Sequence, residues 1–425
     1  MAADQQPAGP SAGTEGPGAP RKLPRRGLLF GGAAAGLGAL AAAGAHLAGA
    51  GSQPSGDPAP SEAGESIHGS GVVPFHGDRQ AGITTAPQAH GVFVALDLRP
   101  GTTRAQVRAL LRLLSDDAAN LCAGQPALAD TEAELARVPA RLTVTFGVGP
   151  GLVAAVAPAL APGWLKPLPA FSIDRLQPGF SDGDLLLQIC ADDPLTVAHA
   201  QRMLLKDSRS FATVRWVQTG FRRSYGSEKP GTTMRNLFGQ VDGTSNPAPG
   251  STDEERVVWG GGEIPAWTGN GTSVVIRRIA MNLDKWDELD RVGREESVGR
   301  RLASGAPLTG TQEHDEPDFA AVSKLGFPVI SDVSHLRRAR PEDRSQRIFR
   351  RGYNYDAAPG AGGVSDSGLI FVSYQSDVGK QFTPIQRRLD EMDMLNQWTT
   401  PVGSAVFAIP PGCREGGFVG DVLFT

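Results

Sequence analysis

Three short segments of this chain carry side chains that could do chemistry. The first is Arg235-Asn236-Leu237-Phe238-Gly239-Gln240-Val241-Asp242-Gly243-Thr244-Ser245-Asn246-Pro247, a carboxylate set among turn-forming residues. The second is Ser331-Asp332-Val333-Ser334-His335-Leu336-Arg337-Arg338-Ala339-Arg340-Pro341, one imidazole followed by arginines. The third is Arg347-Ile348-Phe349-Arg350-Arg351-Gly352-Tyr353-Asn354-Tyr355. Each has a plain reading when taken alone. Asp-Gly is ordinary turn chemistry, and an unplaced histidine reads as a surface residue that titrates near neutral pH. The seven arginines from Arg337 to Arg351 read as a nucleic-acid patch. A net charge of -4 and a pI of about 6.0 argue against nucleic acid as a partner.

The elements that must position these residues recur in a fixed order. Residues 90–98 (HGVFVALDL) are rich in branched and aromatic side chains and read as a strand. Val107, Leu110, Leu111 and Leu114 recur at helical spacing in residues 103–121, after Thr102 or Thr103 as N-cap. Residues 141–147 and 184–190 read as strands, 194–206 as a helix with Pro194 in its first turn, and 212–219 as a strand. The order βαββαβ is that of a ferredoxin-like unit. It returns as strand 273–281, helix 284–300, strands 347–355 and 368–375, helix 384–398 and strand 404–409. The predicted fold is therefore α+β, with two ferredoxin-like domains at 71–230 and 231–425. Each has an antiparallel sheet, and the two pack together. About residues 302–346 form an insertion in the second, and a long insertion without regular structure points to function.

The first 70 residues stand apart. Residues 1–50 combine a polar start, the basic run Arg21-Lys22-Leu23-Pro24-Arg25-Arg26 and an Ala/Gly/Leu stretch ending Ala48-Gly49-Ala50. That is the build of a signal peptide, and Arg25-Arg26 before Leu28-Leu29 resembles a twin-arginine signal. A single membrane anchor is the alternative, although so much Gly and Ala suits hydrocarbon poorly. Export by the twin-arginine machinery to the periplasm, cell envelope or exterior is expected. Residues 51–70 read as a flexible linker. The three cysteines, Cys122, Cys190 and Cys413, are far apart, and no CxxC occurs. A zinc knuckle and a covalent CxxCH haem attachment are thereby excluded.

Together and in this order, the segments resemble the dye-decolorizing peroxidase family. Gly239, Asp242 and Gly243 match its GxxDG motif, SHLRRARP its proximal-histidine segment and IFRRGYNY its distal-arginine strand. Val73–Gly77 with Gln80–Ile83, Gly368–Phe371 with Gln375, and Ile409–Gly412 also resemble family segments. The likeness spans about residues 71–423 and is nearest the exported iron-uptake branch, the deferrochelatases. It implies non-covalent haem b in a pocket of the two ferredoxin-like domains, with hydrogen peroxide and a bulky phenolic or dye-like donor as reactants. His335, alone among the histidines in the matching segment, would be the axial iron ligand, which imidazole suits. Asp242 would shuttle the peroxide proton, and Arg350 would stabilise charge on the leaving oxygen. Arg351, next along the strand, would point to the other face.

The Gly243-Thr244-Ser245 turn is expected close to the porphyrin. Arg340 is expected near its carboxylates, and Leu369 and Phe371 at the distal wall. A ligating histidine donates its other N–H to an acid or carbonyl. Asp393, four residues after Leu389 on the apolar helix face, suits that role better than Glu391. Tyr353, Tyr355 and Trp398 are candidates to relay electrons to large donors. The alternatives are a haem iron-release protein with iron-uptake partners and a non-catalytic haem-binding module. Asp242 and Arg350 speak against the last, since storage needs neither. A homo-oligomer is compatible with the sequence.

Overall fold

The structure is a computed structural model that describes residues 68–260, 269–360, 363 and 365–425. The expected signal and residues 51–67 of the expected linker lie outside these residues, but its last three, His68–Ser70, form a 3-10 turn tied to the fold by the Ala140 N–H, which donates to the Gly69 carbonyl at 2.8 Å. Residues Ser66–Thr425 make one compact unit.

Its first half runs β1 (His90–Leu98), α1 (Arg104–Cys122), β2 (Thr143–Val148), α2 (Pro150–Val156), β3 (Leu185–Ala191), α3 (Pro194–Ser208) and β4 (Ala212–Phe221). Thr103 starts α1 with a reciprocal capping box to Gln106, which satisfies two of the helix's free N–H groups. Asp193 caps α3, and Pro194 takes the first position, where its missing N–H costs nothing. The second half runs α4 (Thr252–Trp259), β5 (Thr272–Met281), α5 (Leu283–Asp287), α6 (Arg291–Val298), α7 (His335–Ala339), β6 (Phe349–Arg350), β7 (Tyr353–Ala357), β8 (Asp366–Gln375), α8 (Thr383–Met392) and β9 (Thr399–Ile409).

All pairings are antiparallel. The first half orders its strands β2-β3-β1-β4, and the second β9-β5-β8-β7. Both are the 4-1-3-2 order of the ferredoxin-like unit, so the duplication read from the sequence is the duplication in the fold. Single bridges, Val148↔Ala408 and Phe221↔Asn354, join the two sheets into a closed ring. Closure leaves few free edges. Phe93, Phe407, Tyr353 and Tyr374 fill the ring's interior at 1% exposure or less. At about 1.5–3 kcal/mol per large apolar side chain buried, this core fixes the sheet whose outer face carries the site.

Three expected elements differ in detail. The helix expected over 284–300 is two helices, because Asp290 leaves the first and caps the second by accepting from the Gly293 N–H at 2.7 Å. The helix expected over 384–398 stops at Met392. Asp393 lies outside it and opens a 3-10 turn, Met394–Gln397, and Met392 is 54% exposed. The strand expected over 347–355 is interrupted at Arg351-Gly352, yet β6 and β7 share one register along β8. Residues 302–334 of the insertion hold no helix or strand, only isolated bridges and turns.

Candidate active site

The outer face of the second sheet is the wall of a cavity of about 490 Å³. β8 contributes Leu369 and Phe371, β5 contributes Arg277 and Ile279, and β6 contributes Arg350. Facing them are His335 and Leu336 of α7, with Ile385 and Leu389 of α8. Alternation along the strand decides which arginine of the Arg350-Arg351 pair reaches the cavity. Arg351 is fully buried within the ring, where it donates to the Thr85 carbonyl and the Gln88 side chain. Arg350 keeps 26% of its side chain exposed and lines the cavity.

Arg350 Nη1 lies 2.8 Å from Asp242 Oδ1. Asp242 ends a tight hairpin in which Gly239 takes φ +80°, a conformation glycine adopts without strain. The hairpin also holds Asn236, whose Oδ1 accepts from the Phe238 and Gln240 N–H groups at 3.1 and 3.2 Å. That fixes the amide so that its Nδ2 points to Asp242 Oδ2 at 3.3 Å. Gly243 has φ +125°, and its Cβ position meets Thr233 only at 3.5 Å. The positive φ is one that glycine adopts without strain. Thr244 and Ser245 do line the cavity, and the Thr244 hydroxyl donates to Glu313 at 2.9 Å.

On the other wall, His335 Nδ1 is 2.6 Å from Asp393 Oδ2. Asp393 Oδ1 accepts from the Leu395 N–H at 3.0 Å, so both carboxylate oxygens are tied down. The Met394 N–H donates to the Val333 carbonyl at 2.8 Å, which holds the Asp393 turn against the segment leading into His335. Burial favours neutral His335, but the charge and hydrogen bond of Asp393 outweigh it and hold the imidazole's pKa above the ordinary histidine value. With Nδ1 committed, Nε2 is the nitrogen left to bind a ligand, the arrangement of a metal-ligating histidine. Glu391 turns outward and pairs with Arg338 at 2.8 Å. Asp393 is thus the acid beside His335, from a helix end rather than from the expected apolar face.

The cavity fits a flat apolar ring with anionic edges. Ile279, Leu369, Phe371, Ile385 and Leu389 give it an apolar wall, and Arg340, Arg344 and Arg347 stand among its polar lining. Arg340 also pairs with Glu316. Tyr353 and Tyr355 are buried, and the Arg278 guanidinium sits 3.5 Å over the Tyr355 ring. Trp398 is half-buried, in edge contact with Trp286 at 5.3 Å. Sequence reasoning missed Asn236, Asn246 and Arg300. Both asparagines lie inside the quoted hairpin segment, where an amide that both donates and accepts was the available signal. Arg300, 7% exposed on the cavity lining, gave none, because an arginine after a helix reads as a dipole cap.

Comparison with known proteins agrees with this geometry. Residues 80–222 match the N-terminal and residues 233–414 the C-terminal model of the Dyp-type peroxidase family. A DyP-type peroxidase structure from Cellulomonas bogoriensis is 55% identical, with a TM-score of 0.82, covering 84% of this chain and 99% of that one. A dye-decolorizing peroxidase of Thermobifida fusca is 38% identical over 358 residues, 81% of this chain and 83% of that protein. A deferrochelatase of Escherichia coli K12 is 35% identical over 363 residues, 80% and 84% of the two. Fold and site together define a two-domain peroxidase built on duplicated ferredoxin-like sheets. Among these, the chain belongs to the Dyp-type peroxidase family.

Proposed function

We propose that the chain is a haem b peroxidase that uses hydrogen peroxide to oxidise bulky phenolic or dye-like donors. One observation carries the reading: the Asp242–Arg350 and His335–Asp393 pairs stand on the lining of a single cavity. His335 would hold the haem through Nε2, with Asp393 orienting the ring and raising its basicity. With no CxxCH in the chain, that hold is non-covalent. When bound, haem supplies the centre at which peroxide is reduced and from which the donor is oxidised.

The protein's own share is proton transfer and charge stabilisation. Asp242 Oδ1 is engaged by Arg350 at 2.8 Å, so Oδ2, held only by the longer Asn236 amide bond at 3.3 Å, would use its remaining lone pair to take the peroxide proton. The same oxygen returns it to the departing oxygen, which leaves as water. The guanidinium of Arg350 would stabilise negative charge developing on that oxygen. Donors too large for the cavity would be oxidised at the surface. Half-buried Trp398 suits that relay better than Tyr353 or Tyr355, which are enclosed.

Iron release from haem is the second reading. Deferrochelatase relatives favour it, as do His314, Asp315 and Glu316 on the cavity lining. Against it, no cluster of three or more His, Cys, Asp or Glu fit to hold a metal ion exists among the described residues. Protonating pyrrole nitrogens and receiving the metal would need such groups. The test is anaerobic incubation of the haem-loaded protein without peroxide, followed by dye assays with peroxide. Peroxide-dependent bleaching with no metal-free protoporphyrin fluorescence is expected. Stoichiometric protoporphyrin, absent in His335→Ala, would promote iron release instead.

A further inference from the structure

We propose that Asn246 is a positioning residue for Arg350, acting as a one-residue strand partner on the open edge of β6. The inference rests on the role given above to Arg350. In an antiparallel pair, the N–H and C=O of successive residues point alternately toward the partner strand and away from it. The Arg351 N–H donates to the Val372 carbonyl of β8 at 2.8 Å, so the backbone of Arg350 points outward. β4 covers this outer edge at Asn354, and the Arg222 side chain covers it at Gly352, donating to that carbonyl at 2.9 Å. Beyond Gly352, β4 has ended.

Asn246 takes over at Arg350. Its Oδ1 accepts the Arg350 N–H at 2.8 Å, and its Nδ2 donates to the Arg350 carbonyl at 2.7 Å. One amide thus reproduces the double hydrogen bond of an antiparallel residue pair. The guanidinium of Arg347 adds a bond to the Ser245 carbonyl at 3.3 Å, tying the same loop to the segment that leads into β6. The backbone of Arg350 is held on its outer edge by Asn246 and, through the neighbouring Arg351 N–H, against β8, and its side chain departs toward Asp242 from a fixed origin. Asp242 and Asn246 lie on one turn, so the two members of the ion pair are braced against each other. Leucine has nearly the shape of asparagine and can make neither bond.

The experiment uses haem-loaded protein with Asn246→Leu, Arg350→Leu and the double variant, and Asn246→Ala as a smaller substitution. Three quantities are read: fluoride affinity of the ferric protein, the rate of the peroxide-induced Soret change, and hydrogen exchange at the Arg350 amide. Misplacement by about 1 Å can cost about a hundredfold in rate. Asn246→Leu is expected to keep the Soret band, speed exchange at Arg350, and lower fluoride affinity and peroxide rate toward those of Arg350→Leu. In the Arg350→Leu background it should change neither further, as expected of residues acting as one unit. Wild-type fluoride affinity and rate in both Asn246 variants would overturn the inference. So would an equal loss with and without Arg350. If Arg350→Leu itself changes nothing, the failure lies with the distal reading and not with Asn246.

Discussion

In the proposed reading the two polar pairs of the cavity do different work, and single substitutions would separate them. Arg350→Leu and Asp242→Asn leave His335 and Asp393 in place, so both variants should bind haem with the wild-type Soret maximum. Each should slow the peroxide-induced spectral change in stopped flow by about a hundredfold or more, the scale of losing one preorganised donor. Wild-type rates in both would remove these residues from the distal role. His335, Asp242 and Arg350 were singled out in the sequence by the resemblance of their three segments to one family, since each residue type alone has a plainer reading. Asn236 and Asn246 were not, because what they supply is direction. Their amides inside the quoted segment were the one signal the sequence offered, and which groups those amides hold is decided by geometry.

Among the elements, strands were legible to within a few residues, and the breaks in helices were not. Periodicity marks which residues share a face. It does not reveal that Asp290 or Asp393 will leave the helix to cap the next turn. That limit touched the site, since Asp393 reaches His335 because the helix has ended. A second acid pair, remote from the cavity, shows what burial does to a helix interface. Asp117 of α1 is 1% exposed, and Asp207 of α3 neighbours it. Burial first, and then Asp117, push the Asp207 carboxyl from 3.8 up to about 7. The folded state therefore holds a proton that the unfolded chain releases near 3.8. The stability this gives is complete below that pH and is lost as pH rises toward about 7. Asp207→Asn should raise the melting temperature at pH 8 relative to wild type, and raise it less at pH 5. An equal shift at both pH values would refute the proton held on Asp207.

For the molecule as a whole, closure of two sheets into one ring gives the outer face of the second a rigid backing. The cavity walls come from β5, β6, β8, α7, α8 and the 234–246 hairpin, segments far apart in sequence. Duplication was readable because each half repeats its own pattern. Which strands would join the halves was not, because single bridges leave no periodic trace. We also propose that the protein is exported with its cofactor already in place. The twin-arginine route carries folded cargo, and a cavity assembled from the whole second half needs a folded chain. Changing Arg25 and Arg26 to Lys should hold the precursor in the cytoplasm with haem bound. Normal export of the double-Lys form would point to the general secretory route or to an anchor.

The central claim is that His335 holds haem in a cavity built for peroxide. The absorption spectrum of haem-loaded wild type and His335→Ala, before and after one equivalent of hydrogen peroxide, tests it most directly. Wild type should show a Soret band that shifts on adding peroxide, and acid-acetone should extract its haem. His335→Ala should lose or grossly alter that band. An unchanged Soret band in His335→Ala, shifting with peroxide as in wild type, would contradict the account.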